Sequence, residues 1–187
     1  ISPLREINQE SLSEKLYFFE KDNYTMSDQS GFADDFGRET QFFGANSSLN
    51  ARIKYLLPKR HTFWKMTMEV FDETGKSIVK LSPGKSKGMN FVTWNYRMSQ
   101  PKVAKGKTLA RGGLTSPRVK EGRYNIVINK GRDSFSKSIY VSDDPSTNLD
   151  SNEKKLKYET TMKLYNLSEE LAYVVYTIDE MLSSDTI

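Results

Sequence analysis

The stretch that decides the fold is Gly88-Met-Asn-Phe-Val-Thr-Trp94-Asn-Tyr-Arg97, because Val92, Trp94, Tyr96 and, one step on, Met98 recur at every second position. That spacing places four large apolar side chains on one face of an extended strand and leaves the intervening residues to solvent. The same period appears upstream, where Trp64, Met66, Met68 and Val70 alternate with Lys65, Thr67 and Glu69. Asp72-Glu-Thr-Gly75 then supplies a turn, and 76–81 returns as a short strand. Pro83-Gly84 and Gly88 punctuate the next loop. Downstream, Tyr124, Ile126 and Ile128 lead into a turn at Asn129-Lys-Gly131, followed by Phe135, Ile139 and Val141. Short alternating runs separated by Gly, Pro, Asp and Asn predict an antiparallel β-sandwich, with one buried face per strand.

Upstream of this block, Ala51, Ile53, Tyr55 and Leu57 share a face opposite Arg52 and Lys54, which makes 51–57 the expected first strand of the sandwich. Leu16, Phe18 and Phe19 suggest a separate strand within 15–20. Residues 22–44 are rich in Asp, Gly, Ser and Asn with isolated aromatics, the composition of a long loop. Past the block the period changes. Leu164, Leu167, Leu171, Val174, Ile178 and Met181 follow one another at spacings of three and four, the apolar seam of a helix over 151–183. Asp150 or Ser151 offers its N-cap and Glu153 an acid in its first turn. So long a helix is expected to lie on the sandwich, to pair with a second helix, or to dimerise. The organisation is therefore a segment with a long loop over 1–45, a sandwich over 46–145 and a helical extension over 146–187.

Charge is distributed unevenly. Residues 1–50 hold four Lys/Arg against nine Asp/Glu, residues 51–133 hold 19 against 5, and residues 134–187 hold 5 against 10. A basic sandwich between acidic flanks has two readings. Either the flanks compensate the sandwich, or the cations await an anionic partner such as an acidic glycan, a nucleic acid or a lipid headgroup. In the second reading Lys85, Lys87, Lys102, Lys105, Lys107 and Arg111 form the candidate polyanion-binding set, most of them in the glycine-containing loop 99–120.

Catalytic chemistry has little to stand on. His61 sits in a polar loop without a nucleophile or an orienting acid in reach of the sequence. Asp34, Asp35 and Glu39 form the densest carboxylate cluster, but not at the spacing of a calcium loop. No phosphate-cradling glycine loop, zinc helix motif or nucleophile elbow occurs. There are no cysteines, so neither a disulfide framework nor a cysteine metal site is expected, and no cofactor or metal is assigned. Asn23-Tyr-Thr25, Asn46-Ser-Ser48 and Asn166-Leu-Ser168 match a glycosylation tripeptide at about the frequency composition alone would produce. Trp94 could stack on a sugar, but its face is shared with Val92 and Tyr96, which points to the core. No membrane span is expected, because no run of 18 apolar residues occurs. The chain also opens without Met and reads as a piece of something longer.

Six segments in order carry a resemblance. Ile1-Ser-Pro-Leu-Arg-Glu-Ile7 resembles the segment leaving the last blade of bacterial sortilin/VPS10-like β-propeller proteins, often labelled BNR-repeat glycosyl hydrolases. Phe43-Gly-Ala-Asn46 with Ala51-Arg-Ile-Lys-Tyr55 resembles the strand that follows, with Ser47 in place of the usual proline. Val70-Phe-Asp-Glu-Thr-Gly75 is similar to its hairpin, and 88–97 to its G-x-N-x-V-x-W-D-L-R strand, with Asn95 and Tyr96 replacing Asp and Leu. Pro117-Arg-Val119 with Gly122-Arg-Tyr124, and Asp144-Pro145, complete the order. The resemblance implies an immunoglobulin- or fibronectin-III-like sandwich at the C-terminal side of a secreted or cell-surface bacterial protein. It implies a non-catalytic accessory module that supports an N-terminal β-propeller or meets a cell-surface protein through its helix. Any glycoside hydrolase site would belong to that propeller, and none of the matched motifs is catalytic. Nucleic acid is not an expected partner.

Overall fold

The computed structural model describes residues 2–26, 50–104, 116–145 and 149–184. They fall into two compact units, one built from Ile1–Tyr96 with Glu121–Thr147, the other from Arg97–Lys120 with Asn148–Ile187. The protein is mainly β, with two sheets and one long C-terminal helix.

The first unit holds both sheets. After a 3-10 turn (Ser2–Glu6) and a short helix α1 (Gln9–Ser13), the strands are β1 (Tyr17–Phe18), β2 (Asn23–Thr25), β3 (Ala51–Leu57), β4 (Met66–Phe71), β5 (Ser77–Leu81), β6 (Gly88–Trp94), β7 (Gly122–Lys130) and β8 (Asp133–Ser142). One sheet runs β1-β3-β6 and the other β2-β8-β7-β4-β5. Every pairing is antiparallel except β2 with β8. The alternation read from sequence sets which face is buried. Ile53, Tyr55 and Leu57, Met66, Met68 and Val70, Val92 and Trp94, Tyr124, Ile126 and Ile128, and Ile139 with Val141 all lie in the core. The two sheets meet through aromatics. Trp94 of β6 packs edge-on against Tyr124 of β7 at 5.6 Å between ring centroids. The Tyr24 hydroxyl of β2 donates to the Arg52 carbonyl of β3 at 3.2 Å. Burying a phenol requires such an acceptor, because an unpaired hydroxyl in the core is costly.

Three expectations are corrected. The strand over 51–57 is the third of the fold, since β1 pairs with it at Tyr17↔Leu56 and β2 joins the other sheet at Tyr24↔Val141. The strand expected to continue through Met98 ends at Trp94, where the chain turns and Tyr96 takes φ 56°. A non-glycine residue there costs about 1–2 kcal/mol. It is offset by burying the ring against Trp94 and by the hydroxyl's bond to the Thr25 carbonyl at 3.3 Å. Finally, Trp64 does not share the buried face of β4. The β4–β7 ladder begins at Met66↔Lys130, so the residues before Met66 leave the sheet, and Trp64 is 65% exposed.

The second unit carries α2 (Ser151–Ser184), close to the expected span. Asp150 Oδ1 accepts from the amides of Asn152 (2.7 Å) and Glu153 (2.8 Å), and the Glu153 carboxylate accepts from the Asp150 amide at 3.0 Å. This reciprocal pair is a capping box, which satisfies amides the first turn would otherwise leave open. At about 1.5 Å per residue the helix is about 51 Å long. Its seam of Leu164, Leu167, Leu171, Val174, Ile178 and Met181 is 49–63% exposed. Among the described residues no helix is long and apolar enough to cross a membrane.

Candidate anion-binding surface

The antiparallel order brings three connections to one end of the sandwich. They are residues 58–65 between β3 and β4, residues 82–87 between β5 and β6, and the turn Gly131-Arg132 between β7 and β8. Together they contain Lys59, Arg60, Lys65, Lys85, Lys87 and Arg132 and not one carboxylate. All six side chains are exposed, and none of them forms an ion pair among the described residues. The nearest acid in sequence, Asp133, is engaged by Lys15 at 2.8 Å. The opposite end carries both signs, with Lys76 in the same turn as Asp72 and Glu73.

Two aromatics stand among these cations. Phe63 is 93% exposed and Trp64 65% exposed, next to Lys65 in the chain. They are presented by an anchored loop. The Lys85 ammonium donates to the Trp64 carbonyl at 3.1 Å, and the Lys85 carbonyl accepts from the His61 amide at 3.0 Å. Residues 82–87 are in turn fixed to the core, because the Tyr55 hydroxyl donates to the Gly84 carbonyl at 2.6 Å. Asn90 Nδ2 donates to the carbonyls of Ser86 (2.8 Å) and Gly88 (3.0 Å). On the other side Gly131 lies under Trp64, where an added Cβ would stand 3.9 Å from the tryptophan Cβ. Gly131 also holds φ +64°, a conformation that favours glycine. His61 turns inward, and its Nε2 is buried with no hydrogen-bond partner among the described residues.

The residues singled out from sequence separate here. Lys85 and Lys87 lie together at the basic end. Lys102 belongs to the second unit, where its amide donates to Glu169 Oε1 at 3.3 Å beside a groove of about 780 Å³ lined by Val103, Ala172, Tyr173 and Tyr176. Lys105, Lys107 and Arg111 lie outside the described residues, as do Asp34, Asp35 and Glu39. Sequence reading missed Lys59, Arg60, Lys65, Arg132, Phe63 and Trp64. The run Lys59-Arg-His-Thr-Phe-Trp-Lys65 held the signal, three cations beside two aromatics, but alternation had assigned the tryptophan to the core.

Among the described residues no three His, Cys, Asp or Glu side chains gather where they could hold a metal ion. The groups with raised pKa values are tyrosines. Burial pushes Tyr24, Tyr55 and Tyr96 up to about 12, with Tyr96 and Asp22 adding to the effect at Tyr24. All three are core phenols.

No protein-family model matches the chain, and no curated protein matches it. Among solved structures, CopC from Methylosinus trichosporium OB3b is similar over 72% of this chain and 99% of its own, at 12% identity and a TM-score of 0.33. That score is too low to bear on the fold or the function of this chain.

Proposed function

We propose that the chain is a non-catalytic binding module, an immunoglobulin/fibronectin-III-like sandwich with a helical extension, that holds an anionic partner against its basic end. One observation carries the reading: three loops at one end gather six cations and no acid. Like charges so grouped repel one another, and a partner of clustered negative charge relieves that repulsion while drawing the module in from a distance. The contacts work through Lys85 and Lys87 together with Lys59, Arg60, Lys65 and Arg132. The test is binding of a sulfated polysaccharide such as dextran sulfate across a salt series. Strong binding at low salt that is lost as the Debye length shrinks from about 10 Å at 0.1 M to about 3 Å at 1 M supports the reading. Absence of binding to any polyanion at low salt removes it.

A second reading rests on the six ordered sequence motifs. In it the module follows the β-propeller of a secreted or cell-surface sortilin-like protein, supports that propeller, and leaves any glycoside hydrolase chemistry to it. The exposed seam of α2 then serves a partner protein whose own helix carries a matching apolar stripe. Co-purification of the chain with a separately expressed propeller tests the arrangement, and failure of the two to associate counts against it.

A further inference from the structure

We propose that the partner of the basic end is an anionic lipid bilayer, with Phe63 and Trp64 entering the boundary between headgroups and acyl chains. The proposal rests on the anion-binding reading above and names its partner. Six cations alone would suit any polyanion, so the aromatics decide. Phe63 is 93% exposed and has no polar atom beyond its backbone, so it can offer no hydrogen bond to a hydroxyl-rich or sulfated polymer. Its neighbour Trp64 is 65% exposed, and an indole has an apolar body with one N–H donor. A bilayer presents negative charge at its surface and an apolar layer just beneath. The loop end presents both chemistries together, with the exposed cations Lys59, Arg60, Lys65, Lys85, Lys87 and Arg132 on the same three loops as two apolar tips. Tryptophan favours that boundary, and lysine and arginine favour anionic headgroups above it.

The anchoring supports the same reading. Insertion gains little if the aromatics must first be ordered, since ordering costs entropy on binding. Here the Lys85 ammonium on the Trp64 carbonyl, the His61 amide on the Lys85 carbonyl and the Gly131 amide on the Lys65 carbonyl hold the backbone that carries the tips in place beforehand. Docking is shallow. Only loop tips enter, while the strand ladders behind them keep their backbone pairs, as an apolar medium requires of any strand near it.

The experiment uses the chain's own reporters, because Trp64 and Trp94 are its two tryptophans and Trp94 is 1% exposed. The chain is titrated with vesicles of phosphatidylcholine alone, with vesicles mixing phosphatidylcholine and phosphatidylglycerol, and with dextran sulfate. The expected result is binding to the mixed vesicles only among the lipids, a blue shift of Trp64 emission, and quenching by bromine-labelled acyl chains. Phe63→Ala with Trp64→Ala should weaken vesicle partitioning by at least about tenfold, since two large apolar groups no longer leave water. The same pair should leave dextran sulfate binding unchanged and the circular dichroism spectrum intact. Binding to dextran sulfate without vesicle binding, or vesicle binding without a Trp64 shift, overturns the bilayer proposal and leaves the anion-binding reading standing. Binding to neither probe overturns both.

Discussion

The Lys85 ammonium donates to the carbonyl oxygen of Trp64 at 3.1 Å, which ties a cation to the loop that carries the exposed aromatics. Lys87, two residues on, is exposed and makes no such bond among the described residues. The two lysines should therefore respond differently. Lys87→Glu should weaken dextran sulfate binding and flatten its salt dependence without changing the melting temperature. Lys85→Met should also weaken binding, and in addition should speed proteolytic cleavage within 58–65, because the loop loses a tie. Equal protease sensitivity in the two variants would show that the Lys85 bond does not hold the loop.

The centre of the core is Trp94, at 1% exposure between Tyr96 and Tyr124. Trp94→Ala should destabilise the sandwich by about 3–5 kcal/mol, the range for removing a large buried aromatic. Urea unfolding followed by circular dichroism measures it. A change below about 1 kcal/mol would mean that the cavity collapses without penalty.

Alkaline pH should unfold the sandwich through its tyrosines. Burial raises Tyr24, Tyr55 and Tyr96 to about 12, whereas an unfolded tyrosine ionises near pH 10. Between those values the native state holds more protons than the unfolded chain, so stability falls as pH rises. The contribution is complete below about pH 10 and is lost as pH passes about 12. Tyrosinate absorbance should therefore appear together with unfolding for these three residues. Ionisation of all ten tyrosines near pH 10 in a still-folded protein would contradict it.

At the start of α2 the capping box can be removed from either side. Asp150→Ala leaves the Asn152 and Glu153 amides without their acceptor and should cost about 1 kcal/mol of helix stability. Since the α2 seam is exposed, that cost should surface locally, as faster hydrogen exchange of the first-turn amides, with the sandwich unchanged. Unaltered exchange at Asn152 and Glu153 would show that water replaces the cap at no cost.

The legible and the illegible parts of this chain divide on physical grounds. Period-2 runs such as Met66, Met68 and Val70, or Tyr124, Ile126 and Ile128, are local records of a half-buried strand, because successive side chains must point to opposite faces. The capping acid Asp150 and the three-four seam are equally local, and the helix follows them closely. Where a ladder stops is another matter. Alternation continued on paper through Trp64 and through Met98, but a strand lasts only as long as a neighbour pairs with it. Met66↔Lys130 and Ala51↔Trp94 are the last pairs on their ladders. The strand β2 was hidden for the same reason: three residues, Asn23–Thr25, gain strand character only by lying parallel to β8, over a hundred positions away.

The amino-acid sequence by itself thus determined the repeat of buried and exposed positions, the turns between them, the helix with its cap, and the excess of positive charge over 51–133. Tertiary structure alone decided which cations share a surface, because Lys59, Arg60, Lys65, Lys85, Lys87 and Arg132 come from three connections that only antiparallel pairing brings to one end. It also decided that Trp64 faces water while Trp94 fills the core. Both indoles carry the same chemistry, but one sits inside a paired strand and the other just beyond the end of one.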